Sequence, residues 1–409
     1  MFKFIVLLIP VFIYADSLKS LLEYAHQHNE LVISKELSQK SKQKEVDSKE
    51  GAYYPTVDGG VYYQNLDEKT VGLAGDTYSG FAKIGFDIYD GGSKSALLQQ
   101  KEDEYKASSY DVNNVKTNIS LQIMKNFFTI KSLEASLESR NEAQKSLQVQ
   151  LDRMNAFYKA NLATKDDVDR LQASYDTNIY EMESIKLEVL TLKLNLSLQV
   201  GKEVVSLDKS KFVAELEDEF ELANSIKSLE HSKQAIKSFS KSIDSSYYPQ
   251  IRVEDTYSIY GYDDTSIAHP KGVDNQNRLM LSANIRLFDN GTISNAKQAV
   301  EIKSQALDKQ IEYKTLEQKM LHKLALARIH TNKIKIKSAS SALVAATSAF
   351  KTIEEKYTAG IVDNVVYLDA LTSKTSAVSL YETSLNDLQI AYGIYHYYGG
   401  KNIEEYLSE

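Results

Sequence analysis

The sequence predicts a mainly α-helical chain with a small membrane β part, and three observations carry this prediction. Landmark motifs occur twice, in the same order and at nearly constant spacing. Long stretches carry apolar residues every seven positions, and the 409-residue chain has only 4 Pro, which is poorly tolerated inside a helix. Short segments that alternate polar and apolar residues, as strands do, occur once in each half.

The N-terminus predicts a secretory signal peptide over residues 1–15. Lys3 supplies a basic start, residues 4–14 are apolar, and Ala15 precedes Asp16 as a plausible cleavage site. The apolar run is shorter than the ~20 residues of a membrane-spanning helix, although a retained membrane anchor remains the alternative. The chain has no Cys, so neither a disulfide nor a lipid-bearing cysteine is expected. The net charge of -8 argues against a nucleic-acid partner.

The repeated motifs predict an internal duplication. They are Tyr53-Tyr54-Pro55 and Tyr247-Tyr248-Pro249, residues 86–92 and 285–291, and residues 158–162 and 357–361. We therefore expect two repeats, residues 16–201 and 218–409, joined by a linker at 202–217. In the first repeat the expected elements are strands at about 56–64 and 78–89, a long helix at 93–158 and a return helix at 164–200. In the second they are strands at about 250–262 and 278–288, a long helix at 292–357 and a return helix at 363–398.

A seven-residue apolar period runs through the predicted helices and indicates left-handed coiled-coil packing. In the first long helix the row is Leu98, Tyr105, Val112, Ile119, Asn126, Leu133, Arg140, Leu147 and Met154. Helices of about 65 residues would each be roughly 100 Å long, which is too long for one globular core. The helices alone leave open an ordinary coiled-coil rod.

The strands distinguish a channel from a rod. Residues 78–88 and 279–287 alternate between apolar and polar side chains, with tyrosines crowded near their ends, as in outer-membrane barrels with aromatic belts. The polar loops 65–77 and 263–278 suit the cell exterior. Two hairpins supply four strands, which cannot close a barrel, so a membrane role requires two, three or more copies. Strands of a soluble sandwich are the alternative.

The layout resembles the TolC-type outer-membrane factor family over nearly the whole mature chain. The resemblance also rests on the opening spacing of Leu18, Leu21, Ala25 and Asn29, and most specifically on residues 360–370, GIVDNVVYLDA. It implies a TolC-like channel-tunnel protomer with long coiled-coil helices and four barrel strands per chain. Three copies would form a 12-stranded barrel in the cell outer membrane and a helical tunnel extending into the periplasm.

The resemblance further implies an exit duct of a tripartite efflux pump or a type I secretion system. The expected partners are two further copies in a homotrimer, outer-membrane lipid, a periplasmic adaptor (membrane fusion protein) and an inner-membrane pump, proton-driven or an ATPase. Transport would be passive within the duct. The alternative is a periplasmic coiled-coil structural or adaptor protein without a barrel. No catalytic constellation, metal-ligand cluster or cofactor motif appears, so we expect neither enzyme activity nor a cofactor.

The turns between paired helices are the expected periplasmic tip. By resemblance they dock the adaptor, with Asn161, Leu162, Ala163, Thr164, Gly360, Ile361, Val362 and Asp363 as candidates. The resemblance also marks Asp167, Asp369 and Tyr357 as pore or gate candidates. Val362 and Val366 are apolar where the family carries charged residues, so the charge lock is expected to be altered. Asp167 has a second interpretation, because residues 164–167 look like a capping box at a helix start.

Overall fold

The computed structural model describes residues 16–67, 71–214, 216 and 219–408. The predicted signal peptide, 1–15, lies outside the described residues, as do parts of the predicted linker and of the first exterior loop. The first half contains α1 Leu18–His28, α2 Glu30–Gly51, β1 Thr56–Asn65, β2 Asp76–Tyr89, α3 Ser93–Lys159, α4 Lys165–Val200 and β3 Lys211–Phe212. The second contains α5 Asn224–Asp244, β4 Gln250–Asp263, β5 Asn275–Asn284, α6 Thr292–Thr358, α7 Asn364–Tyr398 and β6 Leu407–Ser408. Short 3₁₀ turns lie at Ser245–Tyr247 and Ile403–Tyr406.

The two halves have matching element lengths. The long helices α3 and α6 contain 67 residues each, and the return helices α4 and α7 contain 36 and 35. The return helices begin one residue later than predicted because Thr164 and Asp363 act as N-caps outside the first helical turn. None of the described helices is long and apolar enough to cross a membrane.

Four strands form an antiparallel sheet in the order β1-β2-β4-β5, in which β2 and β4 join the two halves. The prediction that the last strand covers 278–288 is wrong at both ends, because β5 runs from Asn275 to Asn284. Its partner β4 begins at Gln250, which pairs with Asn284. Before Gln250 stand Pro249, which has no N–H to donate, and the 3₁₀ turn, so Ile285 and Leu287 have no strand to pair with.

The chain divides into two compact units that cut across the predicted repeats. Among the described residues, one unit comprises those within 16–35, 112–224 and 314–408, and the other those within 36–111 and 225–313. Each unit therefore draws segments from both halves. The second unit holds the sheet and α5, and it includes a cluster in which Lys42 and Lys101 each pair with Glu45 and Glu104.

The first unit has two apolar cores. The larger, the belt core, joins α1, α3, α4, α7, the linker and the C-terminal segment. Leu18, Leu21 and Ala25 of the predicted opening spacing are fully buried in it. Asn29 accepts hydrogen bonds from the N–H groups of Leu31 and Val32 and thereby caps α2. The linker takes part through Phe212, and β3 pairs with β6.

Candidate functional site

The two turns between paired helices share one geometry. In the first, the N–H of Leu162 bonds the carbonyl of Phe157 at 2.8 Å and Asn161 has a φ of 59°. In the second, the N–H of Ile361 bonds the carbonyl of Lys356 at 2.9 Å and Gly360 has a φ of 74°. Both are Schellman endings, which need a left-handed residue after the helix; Gly adopts this conformation freely and Asn at modest cost.

Each return helix starts with a side-chain cap. Thr164 Oγ1 accepts from the N–H of Asp167 at 3.2 Å, while the Asp167 carboxylate accepts from the Thr164 N–H at 3.1 Å and its hydroxyl at 2.6 Å. The capping-box interpretation of Asp167 is thus realised in the protomer. In α7 the carboxylate of Asp363 accepts from the N–H of Val366 at 3.1 Å. Val366 occupies the position that Asp167 holds in α4, so the second turn has a cap without the reciprocal acid.

The hydrogen bond from the Thr164 hydroxyl, followed by that from the Thr164 backbone, holds the pKa of Asp167 below its usual range. The carboxylate is therefore ionised at neutral pH, as the cap requires. Asp369 lies exposed on α7, two turns of helix away from the Asp363 cap. The acids Asp167 and Asp369 are thus in different surroundings, one engaged in a cap and one on the surface.

An aromatic cluster anchors α6 to α7 behind the turn. The rings of Tyr357 and Tyr367 stack at a centroid distance of 4.7 Å, and Phe350 lies 5.7 Å from Tyr367. Tyr367 is fully buried and Tyr357 is 7% exposed. These rings, with Leu171 of α4 and Leu147 of α3, form the second core of the first unit, which we call the tip core.

The buried Tyr357 hydroxyl has no hydrogen-bond partner within the described part of the protomer. Burial raises the pKa of Tyr357, and it raises the pKa of Tyr367 to about 12. Both side chains are therefore neutral donors at physiological pH. A buried hydroxyl without a partner is costly.

Arg153 connects α3 to the end of α6. Its guanidinium lies 5.8 Å from the centroid of the Tyr357 ring and 5.2 Å from that of Phe157. Its Nη2 donates to the carbonyl of Thr358 at 3.1 Å. Arg153 therefore holds the second turn through both a cation–π contact and a hydrogen bond to an otherwise unpaired helix-terminal carbonyl.

The two turns meet through Asn364, whose Nδ2 donates to the carbonyl of Asp167 at 3.2 Å. Asn364 is 4% exposed. This bond brings together the N-terminal ends of α4 and α7. Sequence reasoning missed Arg153, Asn364, Tyr367 and Phe350. The seven-residue step from Phe350 to Tyr357 was the only local signal for the cluster.

The surface of the turns is apolar at its most exposed points. Leu162 is 75% exposed and Ile361 is 71% exposed, and they occupy equivalent places in the two turns. Val365 and Val366 extend this surface on α7, whereas Val362 packs against the tip core. Of the predicted docking residues, Ala163 is half-buried and Thr164 and Asp363 are engaged as caps.

No cluster of three or more metal-ligating side chains occurs among the residues that the structure describes. The His26 side chain belongs to a hydrogen-bonded group with Ser120 and Glu404. Its Nε2 lies 2.8 Å from Ser120 Oγ, and the Ser120 hydroxyl donates to the Glu404 carboxylate at 2.6 Å. These contacts tie the C-terminal segment to α1 and α3.

Comparison with known proteins gives a family match over part of the chain and a fold. The model of the outer membrane efflux protein family matches residues 21–201. A search of characterised protein sequences finds no match.

Several solved outer-membrane channels share the fold. The Campylobacter jejuni CmeC outer membrane channel aligns with a TM-score of 0.84 at 11% identity, covering 94% of this chain and 85% of that one. The outer membrane protein VceC of Vibrio cholerae aligns with a TM-score of 0.81 at 14% identity, covering 94% and 96%. The open-state MtrE outer membrane channel of Neisseria gonorrhoeae aligns with a TM-score of 0.77 at 15% identity, covering 94% and 89%. At these identities the likeness shows the fold.

The family match and the shared fold confirm the recognition made from the sequence and the predicted fold class. They also agree with the predicted localisation, the cell outer membrane with an extension into the periplasm.

Proposed function

We propose that this chain, whose residues 21–201 match the outer membrane efflux protein family, is one subunit of a homotrimeric exit duct. Its sheet would span the outer membrane and its paired helices would form a periplasmic tunnel. The observation that carries the proposal is the incomplete four-stranded sheet joined to two copies of one helical hairpin. The duct would work in a tripartite efflux pump or a type I secretion system.

The sheet supports an assembly of several copies. The outer edges of β1 and β5 have no strand partner among the described residues. The sheet also exposes large apolar side chains, with Val61 87% and Leu279 72% exposed. Unpaired edges are not viable in lipid, and pairing β5 of one copy with β1 of the next removes them. Three copies then close a barrel of twelve strands with an apolar surface toward outer-membrane lipid.

The helices support the same arrangement. One row of α4 exposes Tyr180, Leu187, Leu194 and Leu198 at 74%, 66%, 63% and 78%. One row of α6 exposes Met320, Leu324, Ile334 and Val344 at 61%, 43%, 56% and 68%. The two rows begin and end at comparable distances from their turns, so α4 of one copy can pack along α6 of the next. Because the two rows differ, the contact joins two different surfaces of neighbouring copies. Repeated contacts of this heterologous kind form a ring when the rotation between copies closes.

At the tip, the exposed pair Leu162 and Ile361 would dock an apolar hairpin of a periplasmic adaptor. The turns that present them have fixed Schellman geometry, so the docking surface is formed before the adaptor binds. Asn161, Ala163, Thr164, Gly360, Val362 and Asp363 complete this surface. An inner-membrane pump would supply the energy.

For the gate we propose an aromatic mechanism in place of a charge lock. Val362 and Val366 offer no charge, whereas the buried Tyr357 hydroxyl has no hydrogen-bond partner within the described residues. In a closed trimer this hydroxyl would bond to a neighbouring copy. Asp369 from each copy would add a ring of carboxylates that concentrates cations at the entrance.

Membrane fractionation combined with mild-detergent purification tests the proposal. We expect the chain in the outer-membrane fraction, and a mass of three chains after solubilisation. Recovery as a soluble periplasmic monomer would contradict the duct and favour the periplasmic coiled-coil structural or adaptor protein. A matched control is a variant with Leu279 and Leu281 replaced by Asp, which should fail to reach the membrane while its helices still form.

A further inference from the structure

The helix α6 carries a block of positive charge that the duct function leaves unexplained. Between residues 318 and 337 it contains six Lys or Arg residues and neither Asp nor Glu, although the whole chain has a net charge of -8. All six are exposed; they are Lys319, Lys323, Arg328, Lys333, Lys335 and Lys337. Within the described residues no carboxylate lies within ion-pair distance of Lys323, Arg328 or Lys337. This part of α6 therefore carries a local excess of positive charge.

Helical geometry divides this part of α6 into four sides. At 100° per residue, Ala325 and Ile329 share one side, which is buried in the belt core against Tyr392 and Tyr395 of α7. The opposite side exposes Met320 and Ile334, part of the apolar row on which we place the neighbouring copy. Two sides remain, and in a closed ring one of them faces the lumen and the other faces the periplasm.

Both remaining sides are basic. One carries Lys319, Lys323, His330 and Lys337, and the other carries Arg328 and Lys335. The lumen wall therefore receives positive charge whichever way α6 is turned. Closure of the copies into a ring and the spacing of the basic residues along α6 are enough to place positive charge on the lumen wall.

The segment 219–223, which leads from the linker into α5, identifies the lumen side. It passes next to Lys319: Phe220 lies 6.0 Å from the Lys319 ammonium, and the Glu221 carbonyl accepts from Gln318 at 2.8 Å. A connecting segment inside the tunnel would obstruct it, so this side is the outer one. Arg328 and Lys335 then face the lumen. Lys335 lies near the half-buried Asp387, whose pKa is raised by burial, whereas Arg328 has no ion-pair partner within the described residues.

The neighbouring helix surface does not cancel this charge. At the same distance from the tip, α4 carries Lys186, Glu188 and Lys193 and therefore has no excess of acid. Fixed charges that line a narrow channel attract ions of the opposite sign and raise their local concentration.

From these observations we propose that Arg328 and Lys335 form a ring of fixed positive charge inside the duct, which favours the passage of anionic cargo. The inference rests on the proposed function and assigns it a substrate class. Solutes would pass the Asp369 carboxylates at the tip first and the positive ring of Arg328 and Lys335 afterwards. Small cations gathered at the entrance would thus meet a barrier further along the duct, whereas anionic solutes would be retained and passed on.

Reversal potentials in planar bilayers under a KCl gradient test this inference. In the double variant R328Q/K335Q we expect the reversal potential to shift toward that of a more cation-selective channel. The control is K44Q/K309Q, which removes the same total charge from two lysines that pair with carboxylates on their own helices, at 2.7 and 2.9 Å. The control should leave the reversal potential close to that of the unmodified protein.

Salt dependence adds a second readout. The shift should be largest in dilute KCl and should shrink near 1 M, where the screening length falls to about 3 Å. An equal shift in both double variants, or no shift in either, would overturn the charged ring while the protein still conducts. A preparation that forms no channels under any condition would instead count against the exit duct itself.

Discussion

At the residue scale, Arg153 has the most direct effect on the second turn. It reaches from α3 to both the Tyr357 ring and the Thr358 carbonyl. No sequence pattern predicts this contact, because Arg153 lies about two hundred positions from Tyr357 and Thr358 and belongs to none of the repeated motifs. In a gate, such a contact stabilises the arrangement in which α6 stays close to α3.

Replacing Arg153 with Ala should therefore favour the open duct. Losing the cation–π contact costs about 1 kcal/mol, which would raise the open fraction about fivefold if opening breaks this contact. Single-channel recordings measure the open fraction. The control is R170A, which removes an exposed arginine paired with Asp166 on its own helix. An equal open fraction in R153A and R170A would show that Arg153 has no specific role in gating.

Tyr367 gives the tip core a response to alkaline pH. Its folded pKa is about 12 against an ordinary 10.0, so the unfolded chain ionises first as the pH rises. Stability of the tip core is complete below pH 10 and declines between pH 10 and about 12. Tyr367→Phe should remove much of this decline.

A spin label can follow this change, because the chain has no Cys and a single Leu162→Cys substitution would carry the only label. Label mobility should rise above pH 10 in the labelled protein and rise less when Tyr367 is Phe. The control is Tyr54→Phe, at a side chain that is 71% exposed and lies outside the tip core. Identical pH profiles in all three proteins would show that Tyr367 ionisation does not loosen the tip.

Asp369 is the residue on which the proposed entrance charge depends. Asp369→Ala should weaken the block of the channel by multivalent cations, because a ring of carboxylates binds such ions cooperatively. Titration of the block in bilayers measures the effect. Asp176→Ala on α4, where Asp176 is bonded to Gln172, removes the same charge elsewhere. A block that is unchanged in Asp369→Ala would place Asp369 outside the pore.

At the element scale, the helices were predicted well because their pattern is long and local. The heptad rows and the turn residues placed the ends of α3 and α6 within one residue of the observed Lys159 and Thr358. Strand β5 was placed less well because apolar alternation continues past Asn284, while pairing stops there for lack of a partner. The end of a strand is set by where its partner strand ends, whereas the end of a helix is set by residues within and next to the helix itself.

The start of α4 gives a prediction at this scale. The Thr164–Asp167 capping box should contribute about 1 kcal/mol, so Asp167→Asn should speed hydrogen exchange of the first amides of α4 about fivefold. The same protection should be lost in the unmodified protein as the pH falls through the lowered pKa of Asp167. Asp169→Asn, at an exposed site in the same turn, is the control. Unchanged hydrogen exchange in Asp167→Asn would show that the Asp167 cap does not stabilise the start of α4, so that only the pore role would remain for this residue.

At the scale of the whole molecule, the duplication predicted the order of elements but not how they divide into compact units. Each unit takes segments from both repeats, because β2 pairs with β4 and because the belt core joins α1 to the C-terminal segment. Such long-range pairing leaves no mark in local sequence. The tip core is similar: Tyr357 was expected there from family resemblance, whereas Tyr367 and Arg153 became visible only through their contacts.

The central claim is that copies of this chain enclose a passage through the outer membrane. The most direct measurement is the conductance of the purified, detergent-solubilised protein after insertion into planar lipid bilayers. We expect discrete, uniform current steps whose selectivity responds to Asp369 and to Arg328. Protein that inserts or binds without producing any steps, under the conditions in which a known outer-membrane channel conducts, would show that the copies enclose no passage.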